Sequence, residues 1–438
     1  IGADWPPETP WSFRAQSGVP GVTRQASGHL GAGVRGSLQQ PWHIEQTYWS
    51  YGAVSGPVQI YTNGPPGSPG STLQATIDHL GLTGVIGHPF LLGNLLIYAS
   101  DQSRTGVATY DLSNPQQPQL LDVLKTGGPG GYWPELWAND GELFIVFPYN
   151  DNGNGMRVVD ATDPSNLRFV ADVPLPRPNG SSGAMYAQFQ DEFGFIGDHK
   201  IDMRTRQSVR QFATMSNGID MSQFALPVGN LLVTGGVGSP GQGLAIWAHQ
   251  AAPDTRPPSV AFSIPRPGQT QYPLGAPISL ILHETLDTAS IVNGSSFMVR
   301  RVLSPGNFGS PLAGRWTLSF NDILTFQPNA PLESGATYEV RLNGIRDAAG
   351  NAMPLYSYSF ATGGSVGGNR PPQIQSHTAT PYPAAPAQAV NFAASATDPD
   401  GDALEYRFDF GDGSPRTAWS ATASAQRSYA QPGHYRAS

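Results

Sequence analysis

Apolar residues fall along this chain in short, strand-sized runs set off by Gly, Asn, Asp and Pro. Gly93-Asn-Leu-Leu-Ile-Tyr98, Gly141-Glu-Leu-Phe-Ile-Val146 and Gly229-Asn-Leu-Leu-Val-Thr234 repeat one pattern, and Glu192-Phe-Gly-Phe-Ile196 is a divergent fourth copy. Each begins at a two-residue turn of hairpin type, so the pattern predicts an all-β protein of short antiparallel strands.

A second recurring unit lies downstream of these. It reads Gly56-Pro-Val-Gln-Ile-Tyr-Thr-Asn-Gly-Pro65, Gly106-Val-Ala-Thr-Tyr-Asp-Leu-Ser-Asn-Pro115 and Gly155-Met-Arg-Val-Val-Asp-Ala-Thr-Asp-Pro164, with a weaker copy at Gly243-Leu-Ala-Ile-Trp-Ala-His249. The leading glycines are 50, 49 and 88 residues apart, and Gly197-Asp-His-Lys-Ile-Asp202 stands halfway through the double interval. A period near 40 to 50 residues holding about four strands is that of a β-propeller blade. About five blades are expected within residues 1–252, after an extension over 1–24. Chance spacing in a sandwich explains the near-identical units less well. Asp111-Leu-Ser-Asn-Pro115 and Asp160-Ala-Thr-Asp-Pro164 resemble the ending of LVIVD-family repeats, which implies the same propeller; the other units depart from it. In this ending, Asp and Ser or Thr shape a turn and Pro stops the strand, so these aspartates are expected to be structural.

Residues 252–258 and 363–372 are Pro- and Gly-rich linkers that bracket a module at 259–362. Its alternating runs, such as Ile278-Ser-Leu-Ile-Leu282 and Thr337-Tyr-Glu-Val-Arg-Leu342, predict a β-sandwich. Leu324-Thr-Phe-Gln-Pro328, Leu332-Glu-Ser-Gly-Ala-Thr-Tyr-Glu-Val340, Asp347-Ala-Ala-Gly-Asn351 and Phe360-Ala-Thr362 resemble, in order and spacing, a bacterial Ig-like domain. Residues 370–438 carry Asp398-Pro-Asp-Gly-Asp402, Tyr406-Arg-Phe-Asp-Phe-Gly-Asp-Gly413 and Tyr429-Ala-Gln-Pro-Gly-His-Tyr435, and resemble a PKD domain. That resemblance implies one more strand after Tyr435, so the chain is expected to continue past Ser438, with room for further blades.

Composition narrows the function. The 52 glycines, 41 prolines and 10% aromatics, with charged residues at only 13%, suit a turn-rich, all-β chain. A net charge of −8 without a basic run argues against nucleic acid, and no apolar stretch is long enough to enter a membrane as a helix. The absence of cysteine removes disulfides, thiolate metal sites and cysteine nucleophiles; at this size it favours a bacterial exported protein over a secreted eukaryotic one. The start at Ile1 fits a chain whose signal peptide has been removed or a fragment of a longer chain, and with the polar, Gly- and Pro-rich character the expectation is a protein outside the cell or on its surface.

Candidate chemistry is sparse. Trp133-Pro-Glu-Leu-Trp137 sets two tryptophans about a carboxylate, an arrangement that stacks a sugar ring or packs between blades. With Tyr186 and His88 they are the binding candidates, and Glu135, Asp220 and His199 are the candidates for an enzyme. Asp398, Asp400 and Asp402, with Asp409 and Asp412, offer hard oxygens for calcium, against a plain role in turns. No other cofactor is called for, and no nucleophile elbow or nucleotide loop is present.

The expected function is that of a cell-surface binding protein of adhesion type: the propeller meets an extracellular protein, a glycan or another copy of the chain, and the Ig-like and PKD modules act as spacers. The alternative is a propeller-based, carbohydrate-active enzyme with the same accessory modules.

Overall fold

The structure is a computed structural model that describes residues 34–39, 42–47, 58–62, 72–77, 87–100, 106–125, 134–149, 155–175, 187–196, 199–212, 224–235, 244–319, 322–363, 373–398, 403–412, 414, 416–433, 435 and 437. Every regular element among them is a strand except a 3-10 turn at Thr288–Ser290. The chain divides into two compact units, Ile1–Gly368 and Asn369–Ser438.

The first unit opens with five antiparallel sheets whose strands lie in sequence order. They are β1–β4 (Val34–Gln39, Trp42–Thr47, Val58–Thr62, Thr72–Ile77), β5–β8 (Gly87–Leu92, Leu95–Ser100, Gly106–Asp111, Gln119–Lys125) and β9–β12 (Glu135–Asn139, Glu142–Tyr149, Gly155–Asp160, Arg168–Pro174). Then come β13–β16 (Ala187–Gln190, Phe193–Ile196, His199–Asp202, Gln207–Gln211) and the three-stranded β17–β19 (Phe224–Val228, Leu231–Gly235, Leu244–Ala248). First strands meet first strands, β1 against β5, β9 against β13 and β13 against β17, as blades arranged about one centre do. These sheets are the five blades read from the repeat.

The repeat extends to detail. The third-to-fourth strand pairing slips by one residue at the same place in four blades, at Ile60/Tyr61, Thr109/Tyr110, Val158/Val159 and Lys200/Ile201. A bulge at a fixed point increases the twist of the outer strand and turns it at the blade's edge. The recurring glycine is also explained at Gly155, where a Cβ would run into the Tyr149 ring and the Val173 carbonyl. The turn aspartates behave as expected. Asp111 accepts from the Ser113 N–H (2.8 Å) and hydroxyl (2.6 Å), and Asp160 accepts from the Thr162 N–H (2.9 Å).

The rest of the first unit is a sandwich. Strands β20–β27 are Val260–Ile264, Ile278–Leu282, Phe297–Ser304, Asn307–Pro311, Gly314–Ser319, Ile323–Pro328, Thr337–Leu342 and Tyr356–Ala361. They form sheets ordered β20-β21-β25-β24 and β23-β22-β26-β27, the arrangement of Ig-type sandwiches. Phe297 from one sheet packs on Phe326 from the other at 5.3 Å. The Tyr338 hydroxyl accepts from the Glu333 N–H (2.8 Å), fixing the corner that leads into β26 as Ig-like folds commonly do.

The second unit holds β28–β30 (Gln373–Thr380, Ala389–Thr397, Ser424–Ser428) in one sheet, with Val390, Phe392 and Phe410 as its buried apolar cluster.

Candidate functional site: the junction of propeller and sandwich

The hairpin turns that the sequence singled out meet the sandwich. At the β5–β6 turn, Gly93 donates its N–H to Ser279 Oγ (2.9 Å). At the β9–β10 turn, Gly141 donates to the Ala261 carbonyl (2.8 Å), and Arg266 donates to the carbonyls of Gly141 (2.9 Å) and Thr162 (2.8 Å). At the β13–β14 turn, Asp191 donates to the His283 carbonyl (2.6 Å), while Arg256 pairs with Asp191 (3.3 Å) and Glu192 (2.5 Å). At the β17–β18 turn, Gly229 lies against Ala349 and Asp254. Four successive blades therefore seat their first turns on one domain. An apolar core runs across the junction, joining Phe90, Ile97, Leu136 and Ile145 to Phe262, Tyr272, Ile281 and Ile323.

Segment 252–258, read as a linker, is tied down at this junction. Asp254 is buried, and its carbonyl accepts from Asn351 Nδ2 (3.2 Å). Prolines on either side fix the backbone that these bonds hold.

The sandwich also reaches the blades' innermost strands. Glu135 lines a cleft with Leu136, Ala187, Gln188 and Phe189 from blades, and Thr285, Asp322 and Ile323 from the sandwich. The cleft has room for about one water, far less than a sugar ring needs. Trp137 takes the packing role: it is buried, stacks on Phe144 at 5.3 Å and directs its indole N–H to the Asp191 carbonyl (3.4 Å). His199 is buried in β15 with Nδ1 at 2.8 Å from Ser208 Oγ. His88 lies in β5, paired with Ala99 in the ladder. Trp133, Tyr186, Asp220, Asp400 and Asp402 lie outside the described residues.

Two buried polar groups in the fourth and fifth blades gave no sequence signal. Lys200 Nζ lies 3.9 Å from the centre of the Phe193 ring and donates to His249 Nδ1 (3.2 Å); His249 Nε2 then donates to the Gly229 carbonyl (2.7 Å). Burial, then the Lys200 charge, pushes the His249 pKa down to about 4, so the imidazole is neutral and bridges the two blades. Burial likewise lowers the Lys200 ammonium.

In the second unit, Asp409 accepts from the Gly411 N–H (2.9 Å) and pairs with Arg416 (3.1 Å). Asp412 accepts from the Ser414 hydroxyl (2.6 Å) and N–H (3.0 Å) and pairs with Arg427 (2.6 Å). Among the described residues, the group of acids that converges closely enough to hold a metal is a different one, Asp254, Glu284 and Asp347. The sequence hid it because Asp254 stands in a proline-rich linker, Glu284 just past a strand and Asp347 in a turn motif; only Asp347 belongs to a landmark of the Ig-like pattern.

Comparison with solved structures finds an exo-beta-1,3-galactanase variant from Phanerochaete chrysosporium with beta-1,3-galactotriose, at 13% identity, covering 79% of this chain and 78% of that chain with a TM-score of 0.28. The same enzyme with galactose gives 13%, 79%, 79% and 0.26. Likeness at that level carries no argument about fold or chemistry. No curated protein matches the chain. Residues 254–362 match the bacterial Ig-like domain model and residues 369–438 the PKD domain model, so a bacterial Ig-like domain and a PKD domain, modules typical of extracellular proteins, make up the C-terminal part of this chain.

Proposed function

We propose that this is an exported, cell-surface binding protein of adhesion type, in which an LVIVD-like propeller and the Ig-like domain together form the binding platform and the PKD domain serves as a spacer or further contact module. The docking of four blade turns onto the Ig-like domain carries this reading. An accessory module on a free tether would leave a catalytic propeller independent, whereas here the Ig-like domain is part of the propeller's own architecture.

The outer edges of three blades offer places for such contact. Leu73, Leu120 and Phe169 occupy equivalent positions beside the bulge in β4, β8 and β12, and each is exposed by nearly half. Apolar side chains on edge strands suit a protein partner, including a second copy of the chain.

The test is a panel of extracellular matrix proteins and polysaccharides presented to the full chain, with binding and turnover measured together. Saturable binding without turnover, weakened at least tenfold by Leu120→Asp with Phe169→Asp, is the expected result. Turnover of a polysaccharide that is lost on Glu135→Ala or Asp220→Ala would overturn it in favour of a carbohydrate-active enzyme.

A further inference from the structure

Three carboxylates are buried together where the fifth blade meets the Ig-like domain. Asp254 comes from the connecting segment, Glu284 follows β21, and Asp347 lies in the turn after β26. They are 8%, 2% and 1% exposed, and one oxygen from each lies within 4.8 Å of the others. Like charges this close, removed from water, are strongly unfavourable unless something positive offsets them.

No protein cation does so among the described residues. Arg256 is two residues from Asp254, but its guanidinium pairs with Asp191 and Glu192. Asp254 accepts from the Arg256 N–H (3.0 Å) and Gln190 Nε2 (3.4 Å), and Asp347 accepts from the Asn351 N–H and side-chain amide (2.9 Å each). Glu284 Oε1, by contrast, is buried with no hydrogen-bond partner at all. A divalent cation set among the three carboxylates would supply the positive charge that no described side chain brings to them.

We propose that Asp254, Glu284 and Asp347 form a calcium site that clips the connecting segment to the Ig-like domain beneath the fifth blade. The donors are all carboxylate oxygens, which select hard cations over zinc or copper. Calcium accepts irregular sets of six to eight oxygens, whereas magnesium demands near-octahedral geometry and gives up water reluctantly, a poor match to a buried site. The site couples to the propeller through Gln190, whose Nε2 bonds both Asp254 and the Gly229 carbonyl (3.0 Å). Filling it therefore fastens the fourth and fifth blades to the Ig-like domain. This inference does not depend on what the propeller binds.

The full chain, stripped with EGTA, is titrated with CaCl2 and separately with MgCl2, following ion uptake by calorimetry and unfolding by circular dichroism. The expected result is uptake of a calcium ion that disappears in Glu284→Gln and in Asp347→Asn, with Tm rising by roughly 5 °C in 10 mM CaCl2 and much less in MgCl2. Glutamine keeps the size of Glu284 without its charge, so that variant should melt no lower than the wild type in EGTA; if it does not fold, Asp254→Asn replaces it. Calcium held by the PKD acids instead would persist in these variants and vanish in Asp412→Asn. No uptake, or uptake and a Tm rise unchanged in the junction variants, would overturn the proposal.

Discussion

Gly93 and Ser279, 186 residues apart, share a hydrogen bond of 2.9 Å that joins a blade turn to the middle of a sandwich sheet. Ser279 Oγ also bonds Thr325 Oγ1 (2.9 Å) on the adjacent strand, so the turn is held by two strands of the Ig-like domain. This contact makes the sandwich a part of the propeller's support rather than a separate bead on a chain.

A side chain at Gly93 should break that support. Its φ is +57°, and an added Cβ would lie 2.5 Å from Ile264 Cγ2 and 2.8 Å from the Tyr272 hydroxyl. Gly141 also has positive φ (+77°), yet an added Cβ there meets nothing within 4 Å. Gly141→Ala should therefore cost only the backbone term of about 1 kcal/mol, whereas Gly93→Ala adds overpacking and should cost about 3 kcal/mol. Urea unfolding of the two variants measures the difference directly, and equal losses would mean the junction yields at Gly93.

Arg266 holds two turns of the third blade at once, through the Gly141 and Thr162 carbonyls, with its guanidinium 4.5 Å from the centre of the Phe262 ring. Arg266→Ala should destabilise the first unit by about 3 kcal/mol, because two carbonyls lose a charged donor. Arg266→Lys should recover less than half, since an ammonium lacks the fork that reaches both oxygens. The readout is the unfolding midpoint in urea.

His249 predicts an acid-sensitive contact between blades. Its folded pKa, about 4, lies below the ordinary 6.5, so folding favours the neutral ring. The stabilisation is complete above pH 6.5 and is lost as pH falls from there towards 4, by an amount on the order of 2 kcal/mol. His249→Gln should flatten this part of the stability curve, checked by urea unfolding at pH 4.5, 5.5 and 7.

Asp412 behaves in the same direction for a different reason. The Ser414 hydroxyl, aided by the Ser414 N–H and Arg427, holds its carboxyl down at about 2. Because the folded pKa lies below the usual carboxylate value, the turn's contribution is present above about pH 4 and is lost as pH falls towards 2. Asp412→Asn should lower the melting temperature of the PKD unit at pH 7 and leave its melting nearly unchanged between pH 4 and 2.5, as followed by calorimetry.

The blades are legible in the sequence because their signals are local. The turns at Gly93 and Gly141, the Asp111 and Asp160 caps and the alternating strands all arise from bonds within a few residues, so a repeat in sequence becomes a repeat in structure. The Ig-like and PKD modules were legible for the same reason, through landmarks in fixed order. At Glu135 and Trp137 the sequence offers both a sugar site and packing between blades; the surroundings that bear on the choice, Asp322 beside Glu135 and Phe144 beneath Trp137, come from tertiary contacts the sequence does not display.

The sequence by itself determined an all-β chain, its strands and turns, its five blades and its two C-terminal modules, since each depends on short-range periodicity and turn chemistry. Only the tertiary structure decided that the hairpin turns of four blades rest on the Ig-like domain, that His249 is neutral between Lys200 and Gly229, and that Asp254, Glu284 and Asp347 share one buried space. Those outcomes depend on which surfaces meet across many tens of residues, and burial, which gives a charge its cost and a carboxylate its need for a cation, exists only once the surfaces have met.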